Sequence, residues 1–104
     1  MFHRAPDELQ KTLVDRGYAP VNGLRMYYEI HGDGPPLVLL HGGMVSFEAC
    51  FSAMVPTLAA TRRVIGIEQQ GHGHTADVDR PLTFEQMADD TAALLRHIGV
   101  TRAD

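Results

Sequence analysis

The chain lacks most of the features that mark secreted, membrane-spanning or disulfide-bonded proteins. It has one cysteine, Cys50, which cannot form an internal disulfide and therefore agrees with a reducing compartment. No segment approaches the ~20 apolar residues of a membrane span, and the stretch from Met1 to Glu8 lacks the apolar region of a secretory signal. These absences predict a cytoplasmic protein that has no membrane partner.

Positive charge is also scarce. The sequence has 9 lysines and arginines against 13 aspartates and glutamates, which gives a net charge of −4. Nucleic-acid-binding proteins concentrate Lys and Arg on one face, and because no basic run exists here, no nucleic-acid partner is expected. At 104 residues, with 44% hydrophobic and 21% charged residues, the chain has the composition of one globular domain.

The N-terminal part of the sequence predicts a short helix followed by a β-hairpin. Pro6 to Arg16 has proline in its first turn, acidic residues near its start and basic residues near its end, which favours a helix within an extension of residues 1–17. The dipeptide Asn22-Gly23 tolerates the positive φ angles of a type I′ turn, so Tyr18 to Val21 and Leu24 to His31 are predicted antiparallel strands. Apolar and polar residues alternate in the second strand, which predicts a half-buried strand near a sheet edge.

Residues 18–104 are predicted to form one domain with an α/β fold, in which the antiparallel hairpin is followed by parallel βαβα units. Leu37 to Leu40 and Val64 to Ile67 are apolar runs typical of parallel strands covered on both faces. The helix after the first of these strands, which Pro56 kinks late, is expected to turn inward Phe47, Cys50, Phe51, Met54, Val55 and Leu58. The helix after the second strand is predicted to begin at a capping box at Thr83 and to end at Gly99. The second is expected to bury Phe84, Met87, Ala88, Thr91, Leu95 and Ile98 and to leave Asp89 and Asp90 in solvent.

Two loops leave the carboxyl ends of the predicted parallel strands, where open α/β sheets bind their ligands. In the first, Gly42 and Gly43 let the backbone approach a substrate closely, and the N–H groups of Gly43 or Met44 could stabilise an oxyanion. His41 would then support the loop rather than react. The alternative interpretation is that Gly42 and Gly43 form a tight turn that needs glycine and has no catalytic role. The second loop, Glu68 to Thr75, is rich in glycine and histidine and favours the functional reading.

Together these residues resemble the α/β-hydrolase fold family, in particular its esterase, lipase and proline-iminopeptidase-like members. Members show an Asn-Gly hairpin with a tyrosine-rich second strand, an apolar strand ending in His-Gly-Gly, and a strand followed by Asp-x-x-Gly-His-Gly-x-Ser. In this chain the three motifs are Val21 to Glu29, Leu37 to Gly43 and Glu68 to Thr75. The third motif has Glu in place of the usual Asp and Thr in place of the usual Ser. The absence of Pro after His41-Gly42-x argues against an epoxide hydrolase or a dehalogenase.

The resemblance implies an activity and a set of site residues. The activity is hydrolysis of ester or related acyl bonds in a small-molecule substrate by an activated serine, without a cofactor or a metal. The backbone N–H of Gly43, with that of Met44, would form the oxyanion hole, supported by His41 and Gly42.

The serine itself is missing from the sequence. In such enzymes the strand that carries the Gly-x-Ser-x-Gly elbow follows a stretch like Gly99 to Asp104, and the acid and the histidine lie further on. The nucleophile, the acid and the histidine base are therefore absent from this chain, because Ser46, Ser52 and the histidines lie outside any elbow context. We expect the chain to be inactive alone, as a truncated gene, a contig fragment, a split-subunit half or a pseudogene product. The alternative is a non-catalytic half-domain that completes a sheet with another chain, or self-associates, through an open edge at Leu37 to Leu40.

Three other motifs suggest different chemistry, but each has the wrong context. His72-x-His74 with Asp77 is similar to a metallo-hydrolase zinc motif, yet Asp77 lies one residue too far and no histidine follows it. Gly71-x-Gly73-x-x-Ala76 satisfies a loose dinucleotide fingerprint, but the next helix is expected only at about Thr83, too late to offer its N-terminus to a pyrophosphate. Cys50 lies at a core step of its helix and is interpreted as a small buried hydrophobe rather than a nucleophile.

Overall fold

The structure, a computed structural model, describes residues 11–41 and 47–104, without the side chain of Glu48. The strands are β1 (Leu13–Val21), β2 (Leu24–His31), β3 (Pro36–Leu40) and β4 (Arg63–Ile67). The helices are α1 (Phe47–Phe51), α2 (Val55–Leu58) and α3 (Phe84–His97). In the part of the chain that the structure describes, no helix combines the length and the apolar composition needed to cross a membrane.

The hairpin turn is confirmed. Asn22 and Gly23 have φ angles of 50° and 84°, and β1 and β2 pair antiparallel from Val21 and Leu24 at the turn to Leu13 and His31 at the far end. These two positive angles match the right-handed twist of the strands, which is why the Asn-Gly dipeptide serves here.

The helix predicted for Pro6 to Arg16 is wrong from Leu13 onward, where β1 begins; its first residues, up to position 10, lie outside the described part. The long β2 strand pairs with all of β1 except Val14, where the register shifts, and this pairing outweighs a weak local helix preference. Residues 13–17 therefore belong to the sheet and not to the predicted extension of residues 1–17.

The strands form one mixed sheet in the order β1-β2-β4-β3, with β2 antiparallel and β3 parallel to β4. This is the α/β architecture that the sequence predicts. β2 lies near a sheet edge as expected, next to the edge strand β1, but its predicted half-burial is wrong, because it is covered on both faces along much of its length. On its predicted polar face Tyr27 is only 6% exposed and His31 is fully buried, because the segments that follow β4 and β3 cover that face.

The other edge of the sheet is β3. Its predicted burial on both faces is wrong, since its residues are only half-buried and Leu40 is 52% exposed. Next to it, the Val38 N–H donates to the carbonyl of Asp104 at 2.8 Å, and the Asp104 N–H donates to the carbonyl of Pro36 at 3.2 Å. These two bonds form one step of a parallel ladder. The outer edge of β3 is therefore paired with Asp104 at Leu37, and the strand extends beyond this step to Leu40.

Helices cover both faces of the sheet. Ile65 and Ile67 point toward α3 and join the larger core cluster, and Val64 packs with Phe47 and Val55 on the opposite face. Gly66 makes this second packing feasible, because a Cβ atom there would lie 2.3 Å from the Phe47 ring.

The helix predicted from residue 47 to residue 58 is broken into α1 and α2. Pro56 does not kink it late but lies in the first turn of α2, where a missing N–H removes no helical hydrogen bond. Part of the expected inner face is exposed: Cys50, within α1, is exposed, and Met54, between the two helices, is 49% exposed. Cys50 is thus not the buried hydrophobe that its position in the pattern suggests.

The second helix begins and ends as predicted, but only part of the expected face is buried: Leu95 and Ile98 pack against the core. The Thr83 hydroxyl accepts from the Gln86 N–H at 3.0 Å, and Gly99 has a φ angle of 82° after the last turn. Phe84, expected inside, is 85% exposed, whereas Asp90 and Leu94 are fully buried. The expectation of a solvated Asp89-Asp90 pair is wrong for Asp90.

A buried polar cluster holds Asp90 inside. Its Oδ2 accepts from the Arg80 guanidinium at 2.5 Å, and its Oδ1 accepts from the side-chain amides of Asn22 and Gln86, each at 3.0 Å. Arg80 also donates through Nε to Gln70 Oε1 at 2.7 Å. This cluster connects the hairpin turn, the loop after β4 and α3, and it compensates for the burial of Asp90.

Candidate functional site

His41, the residue before the first predicted loop, lies beside the second predicted loop at the carboxyl ends of β3 and β4. His41 directly follows β3, and its Nε2 accepts a hydrogen bond from the Gln69 N–H at 2.9 Å. Its ring lies 4.7 Å, between ring centroids, from the ring of His72 in the β4 loop, the segment of residues 68–75. The bond fixes His41 against the backbone behind β4, a placement that suits the predicted supporting role.

Glu68 lies at the start of the β4 loop and connects it to α1. It is 1% exposed, and its Oε2 accepts from the Phe47 N–H at 2.9 Å. Its Oε1 accepts from the His74 N–H at 2.7 Å and from His74 Nδ1 at 2.8 Å. Three N–H groups thus compensate for the removal of this carboxylate from water.

Thr75 and Tyr27 connect the same loop to β2. The Thr75 hydroxyl donates to the Glu68 carbonyl at 2.7 Å and accepts from the Tyr27 N–H at 2.9 Å. The Tyr27 ring stacks on the His74 ring with 4.2 Å between centroids. Thr75 therefore has a bonding role within the loop that a hydroxyl group of either Ser or Thr can perform.

A second polar network extends from Tyr27 along β2. The Tyr27 hydroxyl donates to Glu29 Oε2 at 2.5 Å, and His31 Nε2 lies 2.8 Å from Glu29 Oε1. Burial, and then the hydrogen bond to Glu29, raise the pKa of Tyr27. Burial alone would raise the pKa of Glu29, but the hydrogen bonds from His31 and Tyr27 outweigh it and lower that pKa. Thr12 completes the network through its hydroxyl, 2.8 Å from His31 Nδ1.

The structure places only part of the predicted site. Gly42, Gly43 and Met44, the candidate oxyanion-hole residues, lie outside the described residues, as does Ser46. Their roles stay predictions. The two residues that border this segment, His41 and Phe47, are both described and both bonded to the start of the β4 loop.

The histidines of the β4 loop face protein groups. His72 Nδ1 donates to the Gln70 carbonyl at 3.0 Å, and His74 Nδ1 faces Glu68. Within residues 11–41 and 47–104, no cluster of three or more His, Cys, Asp or Glu side chains could hold a metal ion.

Beside this site lies an apolar groove that the sequence did not reveal. It encloses about 530 Å³ between the end of β3 and α3. Its lining consists of Leu40, His41, Gln69, Phe84, Met87, Ala88, Thr91, Ala92 and Leu95. Gln69 donates through Nε2 to the Thr91 hydroxyl at 3.0 Å, while its buried Oε1 has no hydrogen-bond partner in the described structure.

The sequence motif marks Glu68 only as a departure from the usual Asp, and no motif marks Gln69. Their position does indicate a functional role: they are the first two residues after the buried strand β4 and begin a glycine-rich loop, the place where α/β sheets position functional groups.

Known proteins resemble the chain over most of its length. No protein-family profile matches it. It is 37% identical over 91 residues to a soluble epoxide hydrolase from Corynebacterium sp., which covers 85% of this chain and 30% of that protein. It is 31% identical over 93 residues to a proline iminopeptidase from Clostridioides difficile, covering 84% of this chain and 32% of that one.

The solved structures agree. An enol-lactonase from Burkholderia xenovorans superposes with a TM-score of 0.79 at 30% identity, over 84% of this chain and 35% of that one. The chain thus spans about a third of the length of the proteins it matches. With its hairpin, its parallel pair and its strand order, the chain belongs to the α/β-hydrolase fold family and matches the N-terminal portion of its members.

Proposed function

We propose that the chain supplies the oxyanion-hole part of a hydrolase that cleaves ester or related acyl bonds with a serine nucleophile. The nucleophile, the acid and the histidine base of this mechanism are not among the residues of this chain, so the chain alone is inactive. In this proposal the N–H groups of Gly43 and Met44 donate to the oxygen that becomes negatively charged when the serine attacks the acyl carbon.

One observation carries the proposal: the segment of residues 42–46 begins and ends on residues that are fixed at the carboxyl edge of the sheet. His41 is bonded to the Gln69 N–H, and the Phe47 N–H is bonded to Glu68. This edge is where α/β sheets bind ligands. The similarity to an enol-lactonase and a proline iminopeptidase, whose names denote hydrolysis of acyl bonds, supports the choice of reaction.

A chimera tests the proposal. This chain replaces the matching N-terminal third of the Burkholderia xenovorans enol-lactonase, and hydrolysis of an activated short-chain ester is measured for the chimera and for the isolated chain. We expect turnover by the chimera and none by the isolated chain, because only the chimera contains the serine nucleophile with its acid and histidine.

A Cys50→Ala variant is the control, since the exposed thiol of Cys50 can react with activated esters by itself. Turnover by the isolated chain that survives this substitution contradicts the proposal, as does a folded chimera without activity.

The exposed outer edge of β3 favours a second candidate function. In it, the chain is a non-catalytic half-domain that completes a sheet with another chain. Among the described residues, one ladder step, between Leu37 and Asp104, occupies that edge, and the exposed Leu40 lies at its end. The apolar groove lies directly beside this edge, and Gln69 Oε1, which has no partner among residues 11–41 and 47–104, offers an acceptor to an incoming donor. Exposed apolar strand edges invite pairing with another strand.

Because the outer edge of β3 is exposed, we expect the chain to self-associate in a concentration-dependent way. We expect light scattering to show a mass that rises with protein concentration, and Leu40→Lys to reduce this rise, because a charged residue on an edge strand opposes pairing. The matched control is Val14→Lys, a similar change at an exposed position of the opposite edge strand. A mass that stays monomeric at every concentration, or an equal response to both variants, argues against pairing through β3.

A further inference from the structure

One stripe of α3 is apolar and open to solvent. Phe84, Ala88, Thr91 and Leu95, here called the α3 stripe, follow one another at the i, i+4, i+7 and i+11 spacing of one helix face. All four line the apolar groove, and Phe84 is 85% exposed. The helical period predicts these same residues to be buried, so the groove is a face of α3 that lacks a covering element in the described structure.

One flank of the α3 stripe is charged, and its charge changes sign along the helix. Glu85 and Asp89 lie on this flank at i and i+4, and Arg96 lies on the same row about three turns after Glu85. The three residues are exposed, and none of them forms an ion pair within residues 11–41 and 47–104. The flank is therefore acidic where α3 begins and basic where α3 ends.

This charge pattern is complementary to itself. When two copies of a helix pack antiparallel about a two-fold axis, each flank faces the same flank of the other copy, and every contact occurs twice. Glu85 of each copy then faces Arg96 of the other, whereas parallel packing would bring the two acidic ends together. We propose that the α3 stripe binds a second copy of this chain, with the two α3 helices antiparallel.

The middle of this interface is small. Ala88 and Ala92 are exposed and line the groove, and their methyl groups let the two helix axes approach to about 8 Å. The register set by the Glu85–Arg96 pairs brings the Phe84 ring of each copy to the Leu95 end of the other copy's groove. There the ring leaves water, which stabilises the dimer.

This dimer differs from pairing through the outer edge of β3, because it depends on the charges of α3. Leu40 lies at that edge and also lines the groove, so a Leu40 variant affects both modes of association. Charge reversal on α3 separates them.

The test measures mass by light scattering as the chain is diluted. In Arg96→Glu each Glu85 faces a second carboxylate, and in Glu85→Arg each Arg96 faces a second guanidinium. We expect each variant alone to dimerise about tenfold more weakly than the parent, because two symmetric pairs change from attraction to repulsion. An equimolar mixture of the two variants restores both pairs, and we expect it to dimerise within about threefold of the parent.

Two controls accompany these variants. The double variant Glu85→Arg/Arg96→Glu keeps the parent's net charge and restores both pairs, so we expect it to dimerise like the mixture. Arg25→Glu repeats the charge change of Arg96→Glu at an exposed position of β2, where the neighbouring Leu24 and Met26 point to the α3 side of the sheet. Arg25 lies on the opposite face, and we expect its reversal to leave dimerisation unchanged.

Phe84→Ala tests the apolar part of the interface. We expect dimerisation about tenfold weaker, as for an aromatic residue that is buried at an interface. The urea midpoint of the dilute chain is expected to stay the same, because Phe84 is 85% exposed and supports little of the fold.

Three results would overturn the proposal. The first is a parent chain that stays monomeric at every concentration, which would leave the groove to another segment or a different partner. The second is a mixture that associates no more strongly than the single variants. The third is equal weakening by Arg25→Glu and Arg96→Glu, or no response to either, which would assign the association to another surface such as the edge of β3.

Discussion

Replacement of Asp90 by Asn is expected to lower the free energy of unfolding by about 3–5 kcal/mol, the range for removing one partner of a buried ion pair. Asp90 is fully buried, and it accepts from Arg80, Asn22 and Gln86. The Asn side chain has nearly the same shape, but its NH₂ group meets donors, and the positive charge of Arg80 loses its partner. Because Arg80 is 19% exposed, water offsets part of the loss, and the lower end of the range is the better expectation.

Urea denaturation measures this effect as a lower midpoint at a constant m-value. Asp89→Asn is the matched control, because it makes the same chemical change at the adjacent, exposed position of α3. A change there is expected to stay within about 0.5 kcal/mol, as for most surface substitutions. Equal losses in the two variants would show that the buried cluster does not stabilise the fold.

Replacement of Gly43 by Pro is expected to lower kcat of the chimera about 10²–10³-fold. Proline has no backbone N–H, so the variant removes one donor from the proposed oxyanion hole, and removal of one such donor has an effect of this size in other enzymes. KM is expected to change little, since the donor acts on the charge that develops in the transition state.

Gly43→Ala is the comparison, because it adds a side chain but keeps the N–H group. We expect kcat of this variant to fall far less than kcat of Gly43→Pro. Similar losses in both variants would assign the requirement to the space that glycine leaves and not to its donor, and the oxyanion-hole role of Gly43 would be rejected.

Local signals predicted much of the fold. The Asn22-Gly23 turn, the apolar run of β4, the Thr83 cap and the Gly99 terminus are all confirmed. Each of them depends on residues that are neighbours in sequence: a dipeptide that tolerates positive φ angles, an uninterrupted apolar run, a hydroxyl within reach of an N–H three residues on, and a glycine after a last helical turn. Such interactions are visible before the chain folds.

The errors came from partners that are distant in sequence. Leu13 to Arg16 became strand because β2 lies beside them, and Asp90 became buried because Arg80 and Asn22 approach it from two other segments. At Cys50 the helical period predicted burial, but in the five-residue α1 only Phe47 is buried and Cys50 is exposed. Periodicity gives the apolar stripe of one helix, and it carries no information about a charge that another loop supplies.

The same distinction between local and distant interactions applies to the candidate site. The sequence by itself determined where the site is, since His41 and Glu68 directly follow apolar strands whose carboxyl ends meet in a parallel pair. Only the tertiary structure decided how its parts are connected: that Glu68 binds Phe47 and His74, that Gln69 binds His41, and that an apolar groove lies alongside. The physical reason is that hydrogen bonds across the sheet depend on distances of about 3 Å between segments far apart in sequence, which strand order and register fix and local preference does not.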